Sequence, residues 1–313
     1  MQDFVLFGKR NVTDRLKFLH AEGRMPHAIM LTGAKGLGKK LLARWCTMLM
    51  MCEKEDAPCM HCRSCRNISN EEHPDVIYAK GEKYSADSIR DIVHKSSLYP
   101  NDGELRVVIF EDCDEMSEVQ QNLLLKAIEE PSKYNRYIFT CENPASMLST
   151  ILSRVVNIPV SEMTSEECKS CLVLKDIDEE EAKEYINKLG TNPGKILSAI
   201  ADKKQLELYD SAEKTAQYIA DGNEYLTARE FARYTDRDEL FTILSIIYEK
   251  VCRAVRPEEN EDKTVTALKE NLSFKKLYLL SRRIEELTAL SDFNVNARVF
   301  AAYCSSQMFE IIA

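Results

Sequence analysis

The sequence predicts an α/β protein in which a parallel sheet carries a Gly-rich phosphate loop. A short helical segment and an all-helical C-terminal region follow it. Three observations carry this reading. Residues 28–32, 106–110 and 137–141 are short, continuous apolar runs, the pattern of strands covered on both faces. Helical patterns separate these runs, and strands alternating with helices build a parallel sheet. From residue 205 onward the chain has one Gly, Gly222, and one Pro, Pro257, which fits a nearly all-helical region. The expected division is 1–160, 161–204 and 205–313, three domains in 313 residues.

Ala28-Ile29-Met30-Leu31-Thr32 is the first predicted strand, and residues 41–49 form a helix after it. Between them, Gly33-Ala34-Lys35-Gly36-Leu37-Gly38-Lys39-Lys40 matches G-x-x-x-x-G-K. Gly33, Gly36 and Gly38 let backbone N–H groups curl around phosphate oxygens, while Lys39 and the helix dipole add positive charge. The next position should be a Ser or Thr hydroxyl that ligates Mg²⁺. Lys40 brings an ammonium there, which repels a cation. The second strand ends in Phe110-Glu111-Asp112, where carboxylates would meet the metal, but the order is Glu then Asp. Glu111 and Asp112 therefore differ in reach by one methylene from the expected pair. Phosphate binding through Lys39 stays open on these residues, whereas Mg²⁺-assisted ATP hydrolysis is in doubt.

Further along, Ser117 caps a helix with apolar residues at Val119, Leu123, Leu124, Ala127 and Ile128, and Pro131 stops it. The acidic run 176–181 marks the first turn of a later helix. In the last region three stripes fall at helical spacing and predict core or partner-helix packing. They are Leu206, Tyr209, Ala212, Ala216 and Ile219; Leu240, Leu244, Ile247 and Val251; and Val299, Ala302, Ser306 and Phe309.

Cys52, Cys59, Cys62 and Cys65 place four thiols within fourteen residues. C-x2-C turns supply adjacent donors, and four thiolates close a tetrahedral Zn²⁺ site, so a structural zinc is expected. Lys54, Arg63 and Arg66 offset the charge, and His61 is an alternative ligand placed for exposure. The other seven cysteines, 46, 113, 141, 168, 171, 252 and 304, read as small core residues or stay unassigned. An uneven set of eleven does not look like a secreted disulfide scaffold. No signal peptide or apolar span is present, so a cytoplasmic protein without membrane contact is expected. A net charge of −9 argues against a polybasic nucleic-acid coat, and 44% hydrophobic residues exclude global disorder.

Together these features resemble the bacterial clamp-loader subunits of the AAA+ class. Pro26-His27-Ala28 precedes the first strand, and the four-cysteine insertion directly follows the loop's helix. Residues 122–131, NLLLKAIEEP, match that family's N-x-L-L-K-x-[LI]-E-E-P helix. Residues 150–155 match its T-I-x-S-R-C segment, with Val155 in place of Cys. Asn294-Val295-Asn296-Ala297-Arg298 resembles the N-x-N-x-R stretch that opens the last helix. Within the family, the departures at Lys40 and at Glu111–Asp112 resemble the delta-prime branch of DNA polymerase III more than the gamma/tau ATPase branch.

The resemblance implies a helical lid at 161–204 and an oligomerising collar at 205–313. It implies that Arg154, with Ser153 beside it, acts as an arginine finger on ATP held by a neighbouring subunit. A guanidinium suits that role because it is permanently charged and meets phosphate oxygens in a fork. Lys195 falls near the family's nucleotide-sensing Arg, and Glu142 stands at the first sensor position, where it repels phosphate. The implied partners are gamma/tau-type and delta-type subunits, with the sliding clamp and primer–template DNA reached through the complex. The chain would then belong to a DNA polymerase holoenzyme without its own ATPase or polymerase activity. The alternatives are an active gamma/tau-type or other phosphate-loop ATPase, and a zinc-ribbon nucleic-acid module on an unrelated fold. Acidic Glu53, Glu55 and Asp56 and the lack of aromatics in the insertion argue against the last.

Overall fold

A computed structural model describes residues 6–80, 84–256, 262–292 and 296–312. Its chain forms two compact units, Met1–Ala182 with Thr191–Lys195, and Lys183–Gly190 with Ile196–Ala313. The expected middle segment, 161–204, is thus divided between the two.

The first unit runs α1 (Arg10–Ala21), β1 (Ala28–Thr32), α2 (Lys39–Met51), α3 (Arg63–Ser69), β2 (Val76–Lys80), α4 (Ala86–Ser97), β3 (Arg106–Glu111), α5 (Glu118–Glu129), β4 (Asn135–Cys141), α6 (Ser149–Leu152), β5 (Val156–Pro159) and α7 (Ser165–Val173). All strand pairs are parallel, in the order β2-β3-β4-β1-β5. The three strands expected from the sequence are the three inner ones. Of the two edge strands outside that expectation, β5 lacks a continuous apolar run, whereas β2 has one, Val76-Ile77-Tyr78-Ala79, as long as the run in β3. In β5 only Ile158 is buried.

Side chains alternate across the sheet as the pleat requires. Ile29, Leu31, Val107, Ile109 and Ile138 face one core layer with Leu42, Trp45 and Leu49 of α2. Met30, Val108, Phe110 and Phe139 face the other, with Leu124 and Ile128 of α5. Phe110 and Phe139 stack across β3 and β4 with centroids 5.0 Å apart. Each such side chain, fully buried, contributes about 1.5–3 kcal/mol. Pairing of Thr32 with Cys141 and of Phe110 with Phe139 brings the C-terminal ends of β1, β3 and β4 side by side. Ser117 and Gln120 form a reciprocal capping box at the start of α5. Val119, counted in the apolar pattern of α5, is exposed, and Leu124 and Ile128 carry the packing.

Helices α8 (Glu179–Leu189) and α9 (Pro193–Ala201) follow, the first opening on the acidic run as expected. The second unit then continues as α10 (Lys203–Ala220), α11 (Glu224–Phe231), α12 (Arg237–Val255), α13 (Lys263–Asn271), α14 (Phe274–Thr288) and α15 (Ala297–Ile312). Its core holds Ala212, Ala216 and Ile219 of α10 and Leu240, Leu244, Ile247 and Val251 of α12. The α15 stripe departs from the core reading. Val299, Ala302 and Ser306 are exposed, and Phe300, Ala301, Cys304 and Met308 face inward. This helix is apolar on several sides, so sequence spacing leaves its inward phase undetermined. Asn294 and Val295 lie outside the described residues; Asn296 Oδ1 caps α15, accepting from the N–H groups of Arg298 and Val299 at 3.1 and 3.3 Å. Among the described residues no helix is long and apolar enough to cross a membrane.

Candidate functional site

The Gly-rich loop joins β1 to α2 at the C-terminal edge of the sheet. Gly36 and Gly38 take φ of 90° and 81°, conformations that favour glycine, and Gly38 caps α2. Lys39 is buried and its Nζ donates to the carbonyls of Gly33 and Ala34 at 2.7 and 3.0 Å. Burial lowers its pKa from the usual lysine value, opposed by the carboxylates of Glu142, Asp112 and Asp114.

The structure places Lys40 where the sequence raised a conflict. Its ammonium pairs with Glu111 at 3.1 Å and with Asp112 at 2.6 Å. Desolvation works against the charged form, but the hydrogen bonds that Lys40 donates to Asp112 and Glu111 prevail and raise its pKa. Glu111 is buried at the end of β3. Asp112, next along, adopts a left-handed conformation at φ 52°, with its N–H donating to Thr140 Oγ1 at 2.9 Å. The two carboxylates thus converge on an ammonium in place of a divalent ion. A Mg²⁺ drawn to these carboxylates would have to displace the Lys40 ammonium, whose side chain is 46% exposed.

Other groups of the chain close on the same loop. Glu142 Oε1 accepts from the Lys35 N–H at 3.3 Å, and its own N–H donates to Asp114 at 3.0 Å. Asn192 Nδ2 donates to the Lys35 carbonyl at 2.7 Å, and the Gly194 N–H reaches the Gly36 carbonyl at 3.3 Å. A Cβ on Gly194 would lie 2.4 Å from Gly36 Cα, so both glycines are needed for this approach. Asn192 is absent from the sequence-read site; the Asn-Pro-Gly run opening α9 is the signal that marks it. Lys195, expected near a nucleotide sensor, donates its backbone N–H to Asn192 Oδ1 at 3.1 Å.

The four predicted metal ligands come together. Sulfur atoms of Cys52, Cys59, Cys62 and Cys65 all lie within 4.8 Å of one another. A tetrahedron with Zn–S bonds of about 2.3 Å sets its sulfurs about 3.8 Å apart, so the cluster suits such an ion. Backbone N–H groups of Cys59, Cys62 and Cys65 donate to the sulfurs of Cys52, Cys59 and Cys62 at 3.4, 3.3 and 3.4 Å. These bonds favour the thiolate at Cys59, whereas desolvation raises the Cys52 and Cys65 thiols above their ordinary value. Desolvation opposes ionisation of Cys59, but the amides of His61 and Cys62 hold its pKa down to about 6. Cys62 also caps α3, which tethers the cluster to a helix. His61 is exposed and turns Nδ1 toward the Cys59 carbonyl, outside the ligand set. Cys46 is buried in the core, where desolvation pushes its thiol up to about 12. Cys113 and Cys141 are likewise buried, beside Asp114 at the strand ends.

Arg154 follows α6, remote in sequence from the loop. Its guanidinium donates to the Thr150 carbonyl at 2.8 Å and Ser153 Oγ at 3.0 Å, and pairs with Glu129 at 2.6 Å. Its side chain remains about one-third exposed.

Comparison with known proteins adds the family. The chain is 28% identical over 187 residues to DNA polymerase III subunit delta' of Haemophilus influenzae, covering 57% of this chain and 55% of that protein. Against the Bacillus subtilis delta' subunit it is 28% identical over 167 residues, covering 52% and 51%. It is also similar to the Bacillus subtilis tau subunit, at 29% over 162 residues, or 51% of this chain and 29% of that one. The matches span about half the length of these delta' relatives. The family described as DNA polymerase III, delta subunit, matches residues 8–164, just over half of the chain. The chain belongs to that family.

Proposed function

We propose that this chain is the delta-prime-type, non-hydrolysing subunit of a bacterial clamp loader. The observation that carries the reading is the Lys40 ammonium held between Glu111 and Asp112. It puts a positive charge where a hydrolytic site needs a metal, and Glu142 ties down the Lys35 N–H, a loop donor that a phosphate would use. The contribution of this chain to turnover would then lie in Arg154. From its exposed position the guanidinium would reach ATP held by a neighbouring gamma/tau-type subunit and stabilise charge as it develops. Ser153 and Thr150 orient it through one terminal nitrogen, and Glu129 meets the other.

The remaining parts fit an assembly role. A structural Zn²⁺ on the four cysteines would hold the insertion after α2. Residues 161–204 would act as a lid and 205–313 as a collar, with the outward face of α15 supplying contact surface. Partners would be gamma/tau-type and delta-type subunits, with the sliding clamp and primer–template DNA engaged through the complex, all in the cytoplasm.

Reconstitution of the complex tests this. The isolated chain should show no Mg²⁺-dependent ATP binding, and omitting it should abolish clamp loading onto primed DNA. Arg154→Ala should leave the complex assembled and slow ATP turnover at one neighbouring site, by about 10³ at that site if it behaves as other arginine fingers do. Turnover by the isolated chain would favour the active-ATPase reading instead, and unchanged turnover with Arg154→Ala would remove the finger.

A further inference from the structure

We propose that Glu129 is an acidic latch on Arg154, holding the guanidinium in the free subunit and setting how readily it is released to a neighbour's phosphate. The inference rests on the arginine-finger reading given above and adds a residue to it. Glu129 Oε1 lies 2.6 Å from an Arg154 terminal nitrogen, across a sequence gap of twenty-five residues. The other terminal nitrogen is held by the Thr150 carbonyl and Ser153 Oγ at 2.8 and 3.0 Å. Glu129 therefore engages the side of the fork that Thr150 and Ser153 leave open, the side a phosphate would approach.

The position of Glu129 is costly in every other respect. It is the last residue of α5, and Glu130 follows as its cap. Carboxylates at a helix C-terminus meet the negative end of the macrodipole and destabilise the helix. The helix end needs no help from Glu129 either, since His27 Nε2 meets the Ile128 carbonyl at 3.2 Å and the Glu130 N–H bonds back to Lys126. Arg154 is the one group the structure offers Glu129 in return, among the described residues. Both side chains are partly solvent-exposed, so the pair is weak enough to open when a phosphate competes. A carboxylate and a phosphate bearing several negative charges cannot share one guanidinium face without repulsion, so engagement of the neighbour's ATP requires the pair to part.

Glu129→Gln removes the charge, keeps an acceptor of the same shape, and relieves the helix end. The test is ATP-dependent turnover by the reconstituted complex on primed DNA, over a range of ATP concentrations. Wild type, Glu129→Gln, Arg154→Ala and the double variant are compared, with the component that Arg154→Ala abolishes read as the finger-dependent rate. The half-saturating ATP concentration for that component should fall about two- to five-fold in Glu129→Gln, the range an exposed ion pair supports. Its maximal rate should not fall. The difference from wild type should shrink as salt screens the pair, and the double variant should match Arg154→Ala. A lower maximal rate with unchanged half-saturation would make Glu129 an orienting group and overturn the latch. So would identical kinetics of Glu129→Gln and wild type. Loss of the finger reading itself is seen separately, as unchanged turnover in Arg154→Ala alone. Thermal unfolding of Glu129→Gln no lower than that of wild type confirms that the fold is not the variable.

Discussion

Asp75 and Arg106 form the most buried ion pair of the first unit, at 3.2 Å with side chains 0% and 5% exposed. The surrounding bonds make that burial tolerable. Asp75 accepts from the N–H groups of Asn101 and Asp102 at 2.6 and 2.7 Å, and Arg106 donates to the carbonyls of Lys95, Leu98 and Tyr99 at 2.5, 2.8 and 3.0 Å. One pair thereby fixes the whole turn between α4 and β3. Desolvation raises the Asp75 pKa, but the two amides and Arg106 outweigh it and hold the carboxyl below its ordinary value. A depressed carboxyl stabilises the fold above its unfolded pKa, and the contribution is lost as pH falls through the folded value. Asp75→Asn should therefore cost the first unit about 3–5 kcal/mol at neutral pH, since it strands Arg106. In urea unfolding measured from pH 7 downward, the gap from wild type should narrow below about pH 4. A pH-independent gap would assign the loss to packing. This pair joins positions thirty-one apart with no motif to link them, so the sequence does not reveal it. The Lys40 conflict is legible because the phosphate-loop motif states which residue should stand there.

At the scale of elements, spacing carried the cysteine cluster and the inner strands, and failed where an element has one open face. Four thiols at C-x6-C-x2-C-x2-C are local, so the ligand set can be read directly, and Cys62 within it caps α3. The edge strands β2 and β5 depend on neighbours distant in sequence. In β5 only Ile158 is buried, and β2 has an apolar run, residues 76–79, of which only Val76 and Ala79 are buried. The Arg154–Glu129 contact is hidden for the same reason, being made between the ends of two helices. For the cluster, elemental analysis of freshly reduced protein should find about one zinc per chain. Cys62→Ala should abolish it and also weaken α3, because the same sulfur caps the helix by accepting the Cys65 N–H. Protein free of metal with unaltered thermal unfolding would show that the cysteines are core residues only.

For the whole molecule, the question is which surface a chain with net charge −9 offers to protein partners. In the second unit, α14 and α15 pack on each other through Leu280, Ile284, Cys304 and Met308, all buried in one core. Their outward faces carry Phe274 and Tyr278 on α14, and Val299 and Tyr303 on α15, all exposed. Isolated apolar residues on a surface need no explanation, but each helix presents a large apolar pair at i, i+4 spacing. Lys276 meets the Ile312 carbonyl and Arg283 meets Gln307, so the helices run antiparallel and the two pairs stand toward opposite ends. The collar contact proposed above would use the Val299–Tyr303 pair. The same helix then yields two separable outcomes. Phe300→Ala removes a buried ring from the core and should destabilise the unit by about 3–5 kcal/mol. Val299→Glu with Tyr303→Glu touches only the outer face, where substitutions usually change stability by no more than about 0.5 kcal/mol each. That double variant should therefore unfold like wild type yet fail to enter the reconstituted complex in size-exclusion chromatography. Normal incorporation would place the collar contact on another face of the unit, and joint loss of folding and incorporation would mean that the outer face is part of the core.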